Sequence, residues 1–186
     1  MPENFIYGNR YLTQSETDHN AELILAWFWA RGWSANAICA MLGNMQWESG
    51  ANPGIWNGLD PDSQTYGLVQ WYPYTKYSNW WGPGWENNGY AQCARIQYEA
   101  NYNIQWGPNE VYGDPPFNFS TFTTATDNLE DLTWYWLVYY ERPGDEASEL
   151  ARRYAAAQRF HDMFIGVIPP WLLCHAANEN RRRLKL

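Results

Sequence analysis

The sequence predicts an α+β domain that is mainly α. Three observations carry this: apolar residues recur at helical spacing in several stretches, those stretches open on capping residues and close on Gly or Pro, and one turn-rich interval leads into a short strand. At 186 residues the chain has one domain's length and can bury a proper core. We read 1–168 as that domain and 169–186 as a basic tail or linker, because Arg181, Arg182, Arg183 and Lys185 form a terminal charge run beyond Pro169 and Pro170.

Residues 1–12 read as an irregular lead-in. Thr13 and Glu16 then have the spacing of a capping box, which starts a helix that Gly32 ends. Its stretch from Ala21 to Ala30 is apolar on nearly every side and predicts the central packing helix. Ser34 caps the next helix, in which Ile38, Met41, Leu42 and Met45 share one face and Gly50 supplies the C-terminal turn. At 100° per residue Glu48 falls at the edge of that apolar face, while Trp47 points the opposite way.

From Ala51 to Asp62 the chain is turn chemistry, and Tyr66–Trp71 reads as a short strand entered through Gly67. Tyr72–Gly89 has no helical period and reads as a long loop, with Tyr74, Tyr77, Trp80, Trp81 and Trp85 as an aromatic wall. A helix is expected over Tyr90–Asn101 and a variable connection over 106–125. Thr126 and Asp127 cap a further helix that buries Leu129, Leu132, Trp136, Leu137 and Tyr140 and stops at Pro143. A last helix, Asp145–Phe164, carries Arg152, Arg153 and Arg159 in keeping with its dipole.

A formal net charge of −8 argues against nucleic acid as a partner and against simple attraction to anionic wall polymers. No run of 18 apolar residues offers a membrane span, so a soluble protein is expected, and the N-terminus lacks the form of a secretory signal. Cys39, Cys93 and Cys174 are odd in number and far apart, which predicts inert thiols. His19, His161 and His175 share no ligand spacing, so neither metal nor cofactor is expected.

A carboxyl group at the end of a buried helical face loses water, which raises its pKa and suits it to general acid work; Glu48 is therefore the candidate acid. Aromatic residues make up 18% of the chain, more than a core of this size needs, and flat faces beside amides suit sugar rings. The candidate contacts are Asn44, Gln70, Asp60, Tyr66, Trp71, Tyr74 and Tyr139. If the bond acted on is glycosidic, a second carboxylate is normally needed; Asp62 and Asp60 lie on the loop after Glu48, and Asp62 is the preferred one. Glu141, beside Arg142, reads as either half of a buried structural pair or a second active carboxylate, and the structural role is preferred.

Glu48-Ser49 followed 19 positions later by Gly67-Leu68-Val69-Gln70 resembles the Glu-Ser and Gly-Leu-Met-Gln motifs of goose-type lysozymes and soluble lytic transglycosylases. With Met41 to Gln46 before the Glu, Asn52-Pro53-Gly54 after it, and Tyr140-Glu141-Arg142-Pro143 later, the chain is more similar still to the phage tail-tip lysozyme family. Val69 replaces the usual Met, an apolar exchange. The resemblance implies a lysozyme-like fold with a small antiparallel β element beside the catalytic helix. It also implies cleavage of peptidoglycan glycan strands with Glu48 as acid, alongside other phage tail or lysin domains, in a virion tail or lysin at the bacterial wall. Two alternatives stay open: a lytic transglycosylase using Glu48 alone, and an inactive glycan-binding or structural tail domain.

Overall fold

The computed structural model describes residues 4–165; the basic tail, Cys174 and His175 lie outside them. Seven α-helices run in order among these residues: α1 (Gln14–Trp29), α2 (Ala35–Glu48), α3 (Thr75–Trp81), α4 (Gly89–Tyr102), α5 (Phe119–Thr124), α6 (Leu129–Trp136) and α7 (Glu146–Ile165). A π-helical turn, Leu137–Glu141, continues α6.

The caps read from sequence are present. Thr13 and Glu16 close a reciprocal capping box on α1, and Ser34 accepts from the Ala37 N–H to start α2. Asn128, not Thr126 or Asp127, caps α6.

The central helix is α2 rather than α1. Every residue from Ala37 to Met45 is buried, whereas α1 buries one stripe, Thr17, Asn20, Ala21, Ile24 and Phe28, and leaves Trp27 and Trp29 partly exposed. Helix α2 packs most extensively on α7 and α6. Gly43 permits the closest approach: a Cβ there would stand 2.5 Å from the Arg153 carbonyl oxygen and 2.6 Å from Ala157 Cβ. Any larger residue would push α7 away from α2.

The expected antiparallel strand is absent among the described residues. Tyr66 forms only isolated antiparallel bridges to Trp56 and Trp71. Positive φ values at Leu59, Gly67 and Gln70 keep turning the backbone before a ladder can extend. Two segments read as irregular contain short helices instead. Helix α3 forms inside the 72–89 loop because Tyr77 is fully buried against the core, and α5 forms in the 106–125 connection behind the Asn118 cap.

Two buried asparagines hold the lead-in to the helices. Asn20 bonds both the N–H and the carbonyl of Ile6, and Asn52 donates to the carbonyls of Gly8 and Arg10.

Candidate active site

Helix α2 ends at Glu48, whose side chain is 19% exposed, and there it meets a cation rather than an apolar wall. Arg153 Nη2 of α7 stands 2.7 Å from Glu48 Oε1. Arg153 is itself buried, pairs with Glu149 at 3.2 Å one turn earlier on α7, and donates to the backbone and side-chain oxygens of Asn44. The close approach at Gly43 delivers it. A helix whose apolar stripe runs through Ala157, Phe160 and Phe164 thus carries an arginine in line with that stripe, four residues before Ala157. That was the available signal for Arg153, which the dipole reading passed over.

A second carboxyl, Glu141 of the π-helical turn, lies near enough to feel the charges of Glu48 and Arg153. The Arg142 N–H closes this wide turn on the Leu137 carbonyl at 2.8 Å, and Arg142 leaves in a left-handed conformation, φ +54°. π-turns often mark functional positions. Glu141 accepts a 2.7 Å hydrogen bond from Trp136 Nε1. Its dense surroundings, and after them the nearby Glu48 carboxylate, raise its pKa well above the usual carboxylate range. Arg142, the partner expected for Glu141, donates instead to the Gln105 carbonyl.

The 19-residue spacing between the two motifs has a physical basis. Ser49 Oγ donates to the Leu68 carbonyl at 2.7 Å, tying the end of α2 to the loop that carries Gln70. Buried Gln92 of α4 clamps this loop, accepting from the Leu68 N–H and donating to the Pro53 carbonyl. Gly67 (φ +83°) is required because a Cβ would lie 2.5 Å from Gln92 Oε1, so its close approach serves Gln92 rather than a ligand. Gln70 is held by its amide nitrogen to the Gly67 carbonyl, which leaves its Oε1 buried without a partner among the described residues.

The other candidates separate into buried and exposed sets. Asn44 is fully buried, and its amide serves Ala40, Thr133 and Arg153, which makes it a positioning residue for the cluster. Trp71 is core: it stacks on Tyr77 and donates to Glu99 Oε1. Tyr66 is buried, with its hydroxyl on Asn87, and packs with the partly exposed Trp56, Tyr74 and Trp85 into one aromatic cluster. Tyr139 packs on Trp106, and burial raises its pKa. Asp60 and Asp62 are exposed, and Asp60 accepts from the Asp62 N–H as an ordinary turn former. Among the described residues neither bonds to the Glu48 cluster.

Sequence reasoning also passed over Glu99. This fully buried carboxylate accepts from Trp71, Arg95 Nε (2.8 Å) and the Tyr140 hydroxyl (2.6 Å), joining α4 to both the Gln70 loop and the π-helical turn.

Residues 19–164 match the family described as phage tail lysozyme. Morphogenesis protein 1 of Bacillus phage B103 is 41% identical over 149 residues, a match that takes in 76% of this chain and 38% of that longer protein.

Proposed function

Given that the chain belongs to the phage tail lysozyme family, we propose that it cleaves the glycan strands of bacterial peptidoglycan and that Glu48 delivers the proton to the leaving glycosidic oxygen. The observation that supports this most is Glu48 itself, a carboxylate at the end of a buried helical face held at 2.7 Å by the buried cation Arg153. Glycosidic oxygens are poor leaving groups until protonated, and an oxocarbenium-like centre then needs negative charge beside it.

Glu48 can serve both needs in turn, giving its proton to the leaving oxygen and then, ionised, supplying the negative charge. Glu141, its pKa raised by burial, stays protonated nearby and adds no competing charge. Glu48, at the helix end with one oxygen fixed by Arg153, is the group that meets the substrate. Asp62, the second carboxylate expected from sequence, takes third place because it is solvent-exposed in its turn. The orphaned Gln70 Oε1 suits the N–H of an N-acetyl group. In this reading the domain acts at the host wall as part of a virion tail or a lysin.

A lytic transglycosylase reading is favoured by one observation: among the described residues neither Asp60 nor Asp62 bonds to Glu48, as expected where a single acid suffices. Purified peptidoglycan incubated with wild type and Glu48→Gln, followed by mass spectrometry of the released ends, tests both readings. Cleavage should fall about 10²- to 10⁴-fold in the variant. Reducing ends identify the hydrolase and anhydro ends the transglycosylase, while undiminished cleavage by Glu48→Gln overturns the assignment.

A further inference from the structure

The outer faces of α3 and α4 carry an aromatic ladder that the catalytic cluster does not use. Trp80 contacts Trp81 (5.9 Å between ring centroids) and Tyr98 (5.3 Å), and Tyr98 contacts Tyr102 (4.6 Å). Trp81 is 43% and Tyr102 is 67% exposed, so rings that ordinarily bury apolar surface face water at both ends. Helical spacing builds the ladder: Lys76 and Trp80 are one turn apart on α3, as are Tyr98 and Tyr102 on α4.

The ladder is held rigid from beneath. The Arg95 guanidinium lies 5.5 Å from the Trp80 ring and 5.4 Å from that of Tyr98, and Glu99 fixes it from the core side. Rings fixed in this way lose little freedom when a ligand stacks on them.

The charge here runs against the rest of the chain. In a protein of net charge −8, Lys76, Arg95 and Arg142 gather around this face. Partial burial, and then Arg142 and Arg95, depress the Lys76 pKa against an opposing pull from Glu99. The face is also continuous with the active site: Lys76 Nζ donates to Gln105 Oε1, Arg142 donates to the Gln105 carbonyl, and Arg142 follows Glu141 in the chain. Stacking rings beside two cations match a polymer of sugar rings that carries spaced carboxylates; nucleic acid, with a charge on every residue, is repelled more strongly by the chain's overall acidity.

We propose that Trp80, Trp81, Tyr98 and Tyr102, with Lys76 and Arg142, form a glycan-strand subsite outside the Glu48 cluster. There the sugar rings of peptidoglycan stack on the aromatic ladder, and lactyl or stem-peptide carboxylates meet the cations. This rests on the peptidoglycan reading above and extends it to where the uncleaved strand lies.

The test measures cosedimentation with insoluble peptidoglycan in the Glu48→Gln background, so that binding is read without cleavage. Adding Trp81→Ala and Tyr102→Ala should weaken binding roughly tenfold. Trp81→Phe should restore most of its share, Lys76→Gln should reduce the salt sensitivity of binding, and thermal melts of each variant report folding. Unchanged binding by the folded double alanine variant overturns the subsite. If wild type cleaves peptidoglycan in that case, the enzymatic reading survives alone. If the double variant loses binding while wild type cleaves no wall preparation, the subsite stands and the enzymatic reading falls.

Discussion

Glu99 and Glu141 are both drawn into the protein, and Tyr140 connects them: its hydroxyl bonds Glu99 and its backbone runs into Glu141. For both, burial is the first cause of a raised pKa. They differ in how completely they are answered. Glu99 takes hydrogen bonds from an indole, a guanidinium and a phenol, one of them an ion pair within α4. Among the described residues Glu141 takes one, from Trp136, and feels the like charge of Glu48. A fully buried, fully bonded carboxylate is a structural joint; a half-buried one with a like charge nearby holds its proton more tightly and costs stability when ionised.

The largest expected effect comes from removing the cation that makes the Glu141 side tolerable. Arg153→Met leaves Glu48 and Glu149 without their buried partner and should destabilise the fold by about 4 kcal/mol in denaturant titrations. Glu99→Gln should cost about 3 kcal/mol, because Arg95 is left buried without its counter-charge.

The same exchange at Glu141 should act with the opposite sign. A carboxyl whose folded pKa lies above its unfolded one binds its proton more tightly when folded. The native state therefore loses stability as pH climbs from the ordinary glutamate value through the raised one, and the penalty is absent in acid. Glu141→Gln keeps the acceptor for Trp136 and removes that penalty. The variant should gain about 1–2 kcal/mol over wild type at pH 7 but nothing at pH 4, while cleavage falls and loses its alkaline limb. A stability loss at pH 7 would erase the contrast between the two glutamates. The smallest effect is expected at the exposed turn: Asp62→Asn should change cleavage less than about threefold, and a larger loss would return the second-carboxylate role to Asp62.

Much of the α-helical frame was legible in the chain. The Thr13 box, the Ser34 cap and the Met41–Met45 face are local matters of spacing and of who bonds the first free N–H groups. Glu48 was legible as a charge interrupting an apolar stripe. Its surroundings were not: the partner Arg153 lies 105 positions away, and only the α2–α7 approach at Gly43 brings them together. Gly67, Trp71 and Asn44 misled for a related reason. A glycine, a tryptophan and an asparagine near a motif look alike whether they face a ligand or another part of the protein, and here Gln92, Glu99 and Thr133 occupy them.

The sequence by itself therefore determined the helices, their caps, the kinship with phage tail lysozymes and the carboxylate at the end of α2, because each depends on neighbours within a turn or two or on motif order. Only the tertiary structure decided that Arg142 bonds the Gln105 carbonyl rather than Glu141, that Arg153 pairs with Glu48, and that α3 and α4 align their rings into a ladder. Charge pairing and ring stacking act through space over a few ångströms, and the distances that set them arise only when distant segments pack.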